Sequence, residues 1–257
     1  MSNRFIVFTD LDGSLLNEDD YKYDGATNAL KRLSELGIPL VLSSSKTANE
    51  MMPLAAELGT DAPVIFENGG GVAWPDGTIE NTGVPRSNLL STLDELRQQG
   101  FDFWSFRDMG VEGVMQSTGL DRQRATLALD RHATEPLLWR DSSNRLDLIR
   151  EILEAKGLRL IKGGRFFHVS GQIDKAIAMR QVVERFRVDG GSEVATIAVG
   201  DSPNDASMLR TADFAVLIPG HEGVKFDLNR ESARIAPCSG SEGWGRAVTM
   251  LLDELIP

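Results

Sequence analysis

The chain has 257 residues, 41% of them hydrophobic, which is enough for one large packed domain or for a core domain with a smaller companion, without disulfide support. With 38 acidic against 27 basic residues the net charge is −11, which disfavours nucleic acid and anionic membrane surfaces as partners. A phosphorylated ligand would then need local lysines, arginines or a bound cation to reverse the field. Cys238 is the only cysteine, so no intrachain disulfide forms and a reducing compartment fits. The apolar run ahead of Thr9 is too short for a signal peptide or a membrane span, and a soluble cytoplasmic protein is expected.

In chain order, RFIVFTD reads as a buried strand with polar residues at its carboxyl end, followed by a helix over TNALKRLSELG that stops at Gly37. IPLVLSSSKT predicts a second strand running into a Ser-rich turn. A helix capped by Thr47 and a third strand, PVIFENGG, follow. This alternation implies right-handed βαβ units and a parallel sheet. WPDGTIENTG breaks the rhythm and reads as a hairpin around Asp76 and Gly77. From residue 83 a different module is expected: a helix over NLLSTLDELRQQG, a loop rich in Gly and Phe, a helix around DRQRATLALDRHA, a strand PLLWR, a helix NRLDLIREILEAKG, and strands LRLIKGG and RFFHVSG. Near Asp174 the α/β rhythm returns with KAIAMRQVVERF, EVATIAVGD, PNDASMLRTA and FAVLIP, and an amphipathic helix closes the chain. The reading is therefore a Rossmann-like parallel-sheet core, residues 1–82 and 167–257, interrupted by an α+β insert at 83–166.

Ligands of open parallel sheets bind beyond the carboxyl ends of the strands. Three polar clusters sit there: Asp10 and Asp12 before Gly13, Ser44 to Lys46, and Gly200 to Asp205. Each alone is compatible with a plain turn or a helix cap. Their occurrence together, each after a predicted strand, favours chemistry. Asp10 at the strand end is suited to attack phosphorus, and Asp12 to protonate the leaving alkoxide and later to deprotonate water. Two anions facing an anionic ester need a cation. Asp10, the backbone carbonyl of Asp12 and Asp201 form a set suited to Mg²⁺, with Asn204 and Asp205 in support. Ser44 can donate a hydroxyl to the phosphoryl oxygens, and Lys175, opening a helix, can bring an ammonium.

These residues resemble the haloacid dehalogenase superfamily of phosphatases: DLDGSLL its first motif, Ser44 its second, Lys175 its third and GDSPND its fourth. The insert resembles the C2-type cap of the Cof-like branch. Ser44-Ser45-Lys46-Thr47, followed by Glu67, Asn68 and two glycines, is similar to the mannosyl-3-phosphoglycerate phosphatase family, as is Gly163-Gly164-Arg165-Phe166 ahead of Asp174 and Lys175. Ala176 departs from the Gly that many relatives carry. The resemblance implies hydrolysis of mannosyl-3-phosphoglycerate to the compatible solute mannosylglycerate. It also implies a substrate site drawn from Lys46, Glu67, Asn68, Arg131, Glu135, Arg165 and His168. On that reading a helix carries Arg131 and Glu135, Arg165 clamps the substrate carboxylate, and Glu135 accepts sugar hydroxyls. The two arginines are equally compatible with structural ion pairs inside the cap, and His168 with simple packing.

A glucosyl ester or another sugar phosphate as substrate is a close alternative. A phospho-aspartate receiver or a silent sugar-phosphate sensor is an alternative of another class. A receiver needs no cap, and a silent sensor would be expected to lack one of the carboxylates Asp10, Asp12 and Asp201. The expected partner is a small phosphorylated glycosyl-glycerate.

Overall fold

The computed structural model describes residues 4–163, 165–190 and 193–256. The first stretch of chain forms β1 (Arg4–Thr9), α1 (Thr27–Glu35), β2 (Leu40–Ser43), α2 (Ala48–Glu57) and β3 (Val64–Phe66), then a hairpin of β4 (Gly71–Ala73) and β5 (Ile79–Asn81). The insert follows as α3 (Arg86–Gln98), β6 (Phe103–Ser105), α4 (Phe106–Thr118), α5 (Arg122–Leu129), β7 (Thr134–Trp139), α6 (Ser143–Ala155), β8 (Arg159–Lys162) and β9 (Phe167–Ser170). The chain returns through α7 (Lys175–Gly190), β10 (Val194–Gly200), α8 (Ala206–Thr211), β11 (Phe214–Leu217), β12 (Arg234–Ile235) and α9 (Gly240–Leu255).

The core sheet has the order β12-β11-β10-β1-β2-β3-β4-β5, parallel from β12 to β3 and antiparallel through the hairpin. Its strands read as continuous apolar runs because both faces are covered. Val7, Leu42 and Val199 point into one layer with Leu33 of α1, Met51 of α2 and Trp244 and Leu251 of α9. Ile6, Phe8, Val41 and Ala198 point the other way, onto Met179 and Val182 of α7 and Leu209 of α8. Fully burying each such aliphatic side chain stabilises the fold by about 1.5–3 kcal/mol. Among the described residues no helix is long and apolar enough to cross a membrane.

The insert has its own antiparallel sheet, β6-β7-β9-β8, with Leu89, Leu93, Leu137, Ile149, Leu153 and Val169 packed between the sheet and α3 and α6. Two expectations are corrected here. The insert does not end at residue 166, because Phe167–Ser170 pairs with both β7 and β8 and so belongs to the insert's sheet. The Gly- and Phe-rich segment is not a loop but β6 and α4. Ser105 and Asp108 form a capping box at the start of α4, while Gly110 at φ 59 kinks it. Glycines at 110 and 113 lower helix propensity and hide the apolar period.

Candidate active site

The polar clusters meet at the carboxyl edge of the core sheet. Asp10 follows β1 directly, and its N–H donates to the Val199 carbonyl at 2.9 Å, extending the ladder by one rung. The buried Trp244 indole donates to Thr9 Oγ1 at 2.8 Å, and Thr9 Oγ1 donates to the Asp10 carbonyl at 2.7 Å, so α9 fixes the strand end. Gly13 turns the chain at φ 82. A Cβ there would lie 2.7 Å from Asp201 Oδ2, so only glycine lets the two loops approach. Ser44, buried after β2, accepts the Lys46 N–H at its hydroxyl (3.3 Å) and the Asn68 N–H at its carbonyl (2.8 Å). That joins the loops after β2 and β3.

Lys175, the first residue of α7, is buried at the centre. Its Nζ donates to Asp10 Oδ1 at 2.6 Å, to Asp205 Oδ1 at 2.7 Å and to the Ser43 carbonyl at 3.1 Å. Burial works against its ammonium, but Asp10 and Asp205 outweigh that and hold its pKa above the ordinary lysine value. Burial foremost, with the Asp205 carboxylate adding to it, pushes the Asp10 carboxyl up to about 8 against the pull of Lys175. Burial likewise raises Asp201, although Lys225 Nζ donates to its Oδ2 at 2.6 Å. Lys46 Nζ bonds Asp12 Oδ2 and lies 5.7 Å from the centroid of the Tyr21 ring.

Oxygens of Asp10, Asp201 and Asp205 all lie within 4.8 Å of one another, a cluster able to hold a metal ion. Asp201 Oδ1 and Asp12 Oδ1 are buried with no hydrogen-bond partner, which a hard cation would relieve. Asp205 is differently placed: Oδ1 accepts Lys175, and Oδ2 accepts the N–H groups of Asp201 (3.1 Å) and Ser202 (3.0 Å). Its lone pairs shape the loop, leaving Asp10 and Asp201 as the freer ligands. Asn204 stands apart, exposed, with its amide donating to Asn68 Oδ1 at 3.3 Å.

Lys175 also lines a cavity of about 710 Å³ between the core and the insert, which forms a cap over this edge. Glu67, Asn68, Arg131 and His168 share that lining. Glu67 is buried at φ 52, and its carboxylate accepts the N–H groups of His132 (2.7 Å) and Ala133 (3.1 Å) and the Thr134 hydroxyl (2.6 Å). Arg131 donates to Thr134 Oγ1, to the Ala128 carbonyl and, at 2.8 Å, to the Ser45 carbonyl. These two residues tie cap to core. His168 is half-buried, and burial first, then the charge of Arg131, lowers its pKa to about 4. A second cavity of about 730 Å³ has Gly13 in its wall, and Glu18, Asp19, Asp20, Asp24 and Glu242 outweigh Lys225 and Arg246 along it, a balance that disfavours an anionic ester.

Three expectations about the cap fail. Arg131 and Glu135 are not on a helix: α5 ends at Leu129, and Glu135 belongs to β7. Glu135 is fully buried, accepts Arg86 Nε at 2.7 Å and the Arg107 N–H at 2.8 Å, and does not line the cavity, which places it as a structural ion-pair partner rather than as a sugar acceptor. Arg165 is exposed in the turn between β8 and β9 and does not line the cavity. Gly164 beside it lies outside the described residues. The sequence reading also missed Lys225. It lies in the loop after β11, at the same carboxyl edge of the sheet, and that position was the available signal.

The chain matches the family described as haloacid dehalogenase-like hydrolase over residues 7–126 and 161–219. It is 36% identical over 266 aligned residues to the glucosyl-3-phosphoglycerate/mannosyl-3-phosphoglycerate phosphatase of Persephonella marina, covering 97% of this chain and 98% of that one. A protein of the same name from Methanococcoides burtonii is 36% identical, with 98% of each chain covered. The crystal structure of a Thermoplasma acidophilum protein shares the fold, with a TM-score of 0.74 at 20% identity over 99% of this chain and all of the other. With a full-length likeness and a matched core on either side of the cap, the chain belongs to the haloacid dehalogenase-like hydrolases.

Proposed function

We propose that the chain is a Mg²⁺-dependent phosphomonoesterase that hydrolyses glycosyl-3-phosphoglycerates, mannosyl or glucosyl, to the glycosylglycerate and phosphate. The observation that carries this is Lys175, which bonds Asp10 and Asp205 on one side and opens onto the cap-covered cavity on the other. The names of the two relatives supply the substrate class, and both name the two sugars.

Asp10 Oδ attacks phosphorus and the ester P–O bond breaks, leaving an aspartyl-phosphate. Asp12, two residues on, gives its proton to the leaving alkoxide, then takes one from the water that attacks phosphorus and frees Asp10. Ser44 and Lys175 bear on the phosphoryl oxygens, and Asp205 holds Lys175 and the loop of Asp201 in place. Asp10, Asp201 and the backbone carbonyl of Asp12 would hold the Mg²⁺, with Asn204 and Asp205 in support. When bound, it supplies the electrostatic neutralisation that lets a carboxylate approach a phosphate dianion. Lys46, Asn68 and His168 remain as candidates to meet the substrate beneath the cap. A cytoplasmic location, which the lone Cys238 fits, is part of this proposal.

The test is phosphate release from the mannosyl and glucosyl esters and from p-nitrophenyl phosphate, with Mg²⁺ and with chelator. Metal-dependent turnover of the glycosyl esters, with kcat/KM well above that for the aryl ester, is the expected result. Absence of phosphate release from all three would identify a binding module instead. An epimeric hydroxyl left unpaired should separate the two sugars if the cap reads it.

A further inference from the structure

The cavity beneath the cap contains more positive charge than the phosphate chemistry uses. Lys175 is committed to Asp10 and Asp205, and Arg131 to Thr134, Ala128 and Ser45. Two further arginines line the same cavity, Arg159 from cap strand β8 and Arg210 from core helix α8. Both are exposed. Many other arginines of this acidic chain sit against carboxylates, as Arg86 does with Glu135 and Arg107 with Asp94. Among the described residues, neither Arg159 nor Arg210 has one. Arg210 is nonetheless placed, because its Nε donates to the Leu228 carbonyl at 3.0 Å while the outer nitrogens stay available. Arg159 stands in register with Ser170, and Ile161 with His168, so one face of the cap sheet presents this guanidinium to the cavity beside a histidine that stays neutral.

We infer that Arg159 and Arg210 are the specificity residues that bind the carboxylate of the substrate's glycerate moiety, an assignment that rests on the function proposed above. A glycosyl-3-phosphoglycerate carries two anionic groups. The phosphate belongs to Asp10, Ser44 and Lys175, which leaves the carboxylate to be matched. The planar fork of a guanidinium suits a carboxylate better than an ammonium does. Because one arginine belongs to the cap and the other to the core, a carboxylate held by both would favour the closed arrangement in which the phosphoryl group is shielded from water. A phosphate ester without the carboxylate would lack that bridge.

The probe is a matched pair, 3-phosphoglycerate and glycerol 3-phosphate, which differ only by a carboxylate against a hydroxymethyl group. Binding is measured by calorimetry with Mg²⁺ in the Asp10→Asn protein, where neither compound turns over. The parent is expected to favour 3-phosphoglycerate by about 10- to 100-fold, and Arg159→Gln or Arg210→Gln to reduce that preference by about tenfold each. Melting temperatures verify that both substitutions, at exposed positions, leave the fold intact. No preference in the parent overturns the assignment, as does a preference that survives both substitutions or a loss of affinity equal for the two compounds. Failure of the phosphatase reading has a separate signature, absence of phosphate release by the unsubstituted protein, and leaves the binding ratio readable.

Discussion

Asp10→Asn should inactivate the protein and at the same time stabilise it when no divalent metal is present. Asp10 is buried in a cluster with Asp201 and Asp205, and its carboxyl is pushed up to about 8. A group raised from 3.8 in this way is protonated in the folded state over a range where the unfolded chain has already lost the proton. Stability therefore falls as pH rises through that range, and at pH 7 the penalty reaches about 4 kcal/mol as an upper bound. Asparagine removes the titrating group and with it this penalty. It also removes one partner of Lys175, but Asp205 still bonds that ammonium at 2.7 Å, so the lysine is not orphaned. The net gain should be about 2–4 kcal/mol, or about 5–10 °C in Tm for a chain of this size. The assay is thermal unfolding at pH 7 in chelator, repeated with added Mg²⁺. Metal should raise the Tm of the parent more than that of the variant, since the variant lacks a ligand. A variant that melts below the parent in chelator would refute the reasoning, because the Lys175 contact would then outweigh burial and repulsion.

Two further outcomes follow from the cap. Glu135→Ala strands the Arg86 guanidinium and the Arg107 N–H in the cap interior, and should cost about 3–5 kcal/mol in urea unfolding with KM for the glycosyl ester little changed. A raised KM with unaltered stability would restore the sugar-binding role the structure takes from it. His168 titrates near 4 in the fold against 6.5 in the unfolded chain. Protons then favour the unfolded state between those values, and stability should drop as pH falls from 6.5 towards 4, by at most about 3 kcal/mol. The difference between the pH–stability curves of the parent and of His168→Gln isolates this share. Parallel curves would show that His168 is not depressed.

The core was legible because its signals are local. Apolar runs such as Phe5–Phe8 and Val194–Val199 must be buried on both faces, and the polar residues that end them stand where a parallel sheet places its ligands. Asp10, Ser44 and Asp201 were read this way and Lys175 as the start of a helix, and the fold bonds Asp10 to Lys175 although 165 positions separate them. The cap yielded less, because its decisive facts are pairings over long separations. Nothing local marks Phe167–Ser170 as the partner of Thr134–Leu137 rather than as a core strand. Nor does Glu135 reveal that an arginine 49 residues earlier will take its carboxylate. Arg165 was drawn in by its neighbours in sequence, yet the arginine that reaches the cavity from the same hairpin is Arg159, on the strand rather than in the turn.

The joint between the two units bears on how the cap can act. Glu67 and Arg131 form a buried network that binds the loop after β3 to the start of β7, and Arg131 reaches the Ser45 carbonyl beside Ser44. The Thr47 hydroxyl adds a bond to the Leu127 carbonyl at 2.9 Å. Opening the structure there would expose an ion pair and several backbone N–H groups without partners, at a cost of several kcal/mol. On the far side of the cavity, β8 faces α8, and among the described residues no backbone hydrogen bond joins them. A cap movement that spares the bonded edge must pivot on Glu67 and Arg131 and change the gap between β8 and α8. That gap is where Arg159 and Arg210 stand. In such a movement Arg159 and Arg210 would stand at the edge that opens, while the bonds of Glu67, Arg131 and Thr47 would hold the loop of Ser44 at the bonded edge.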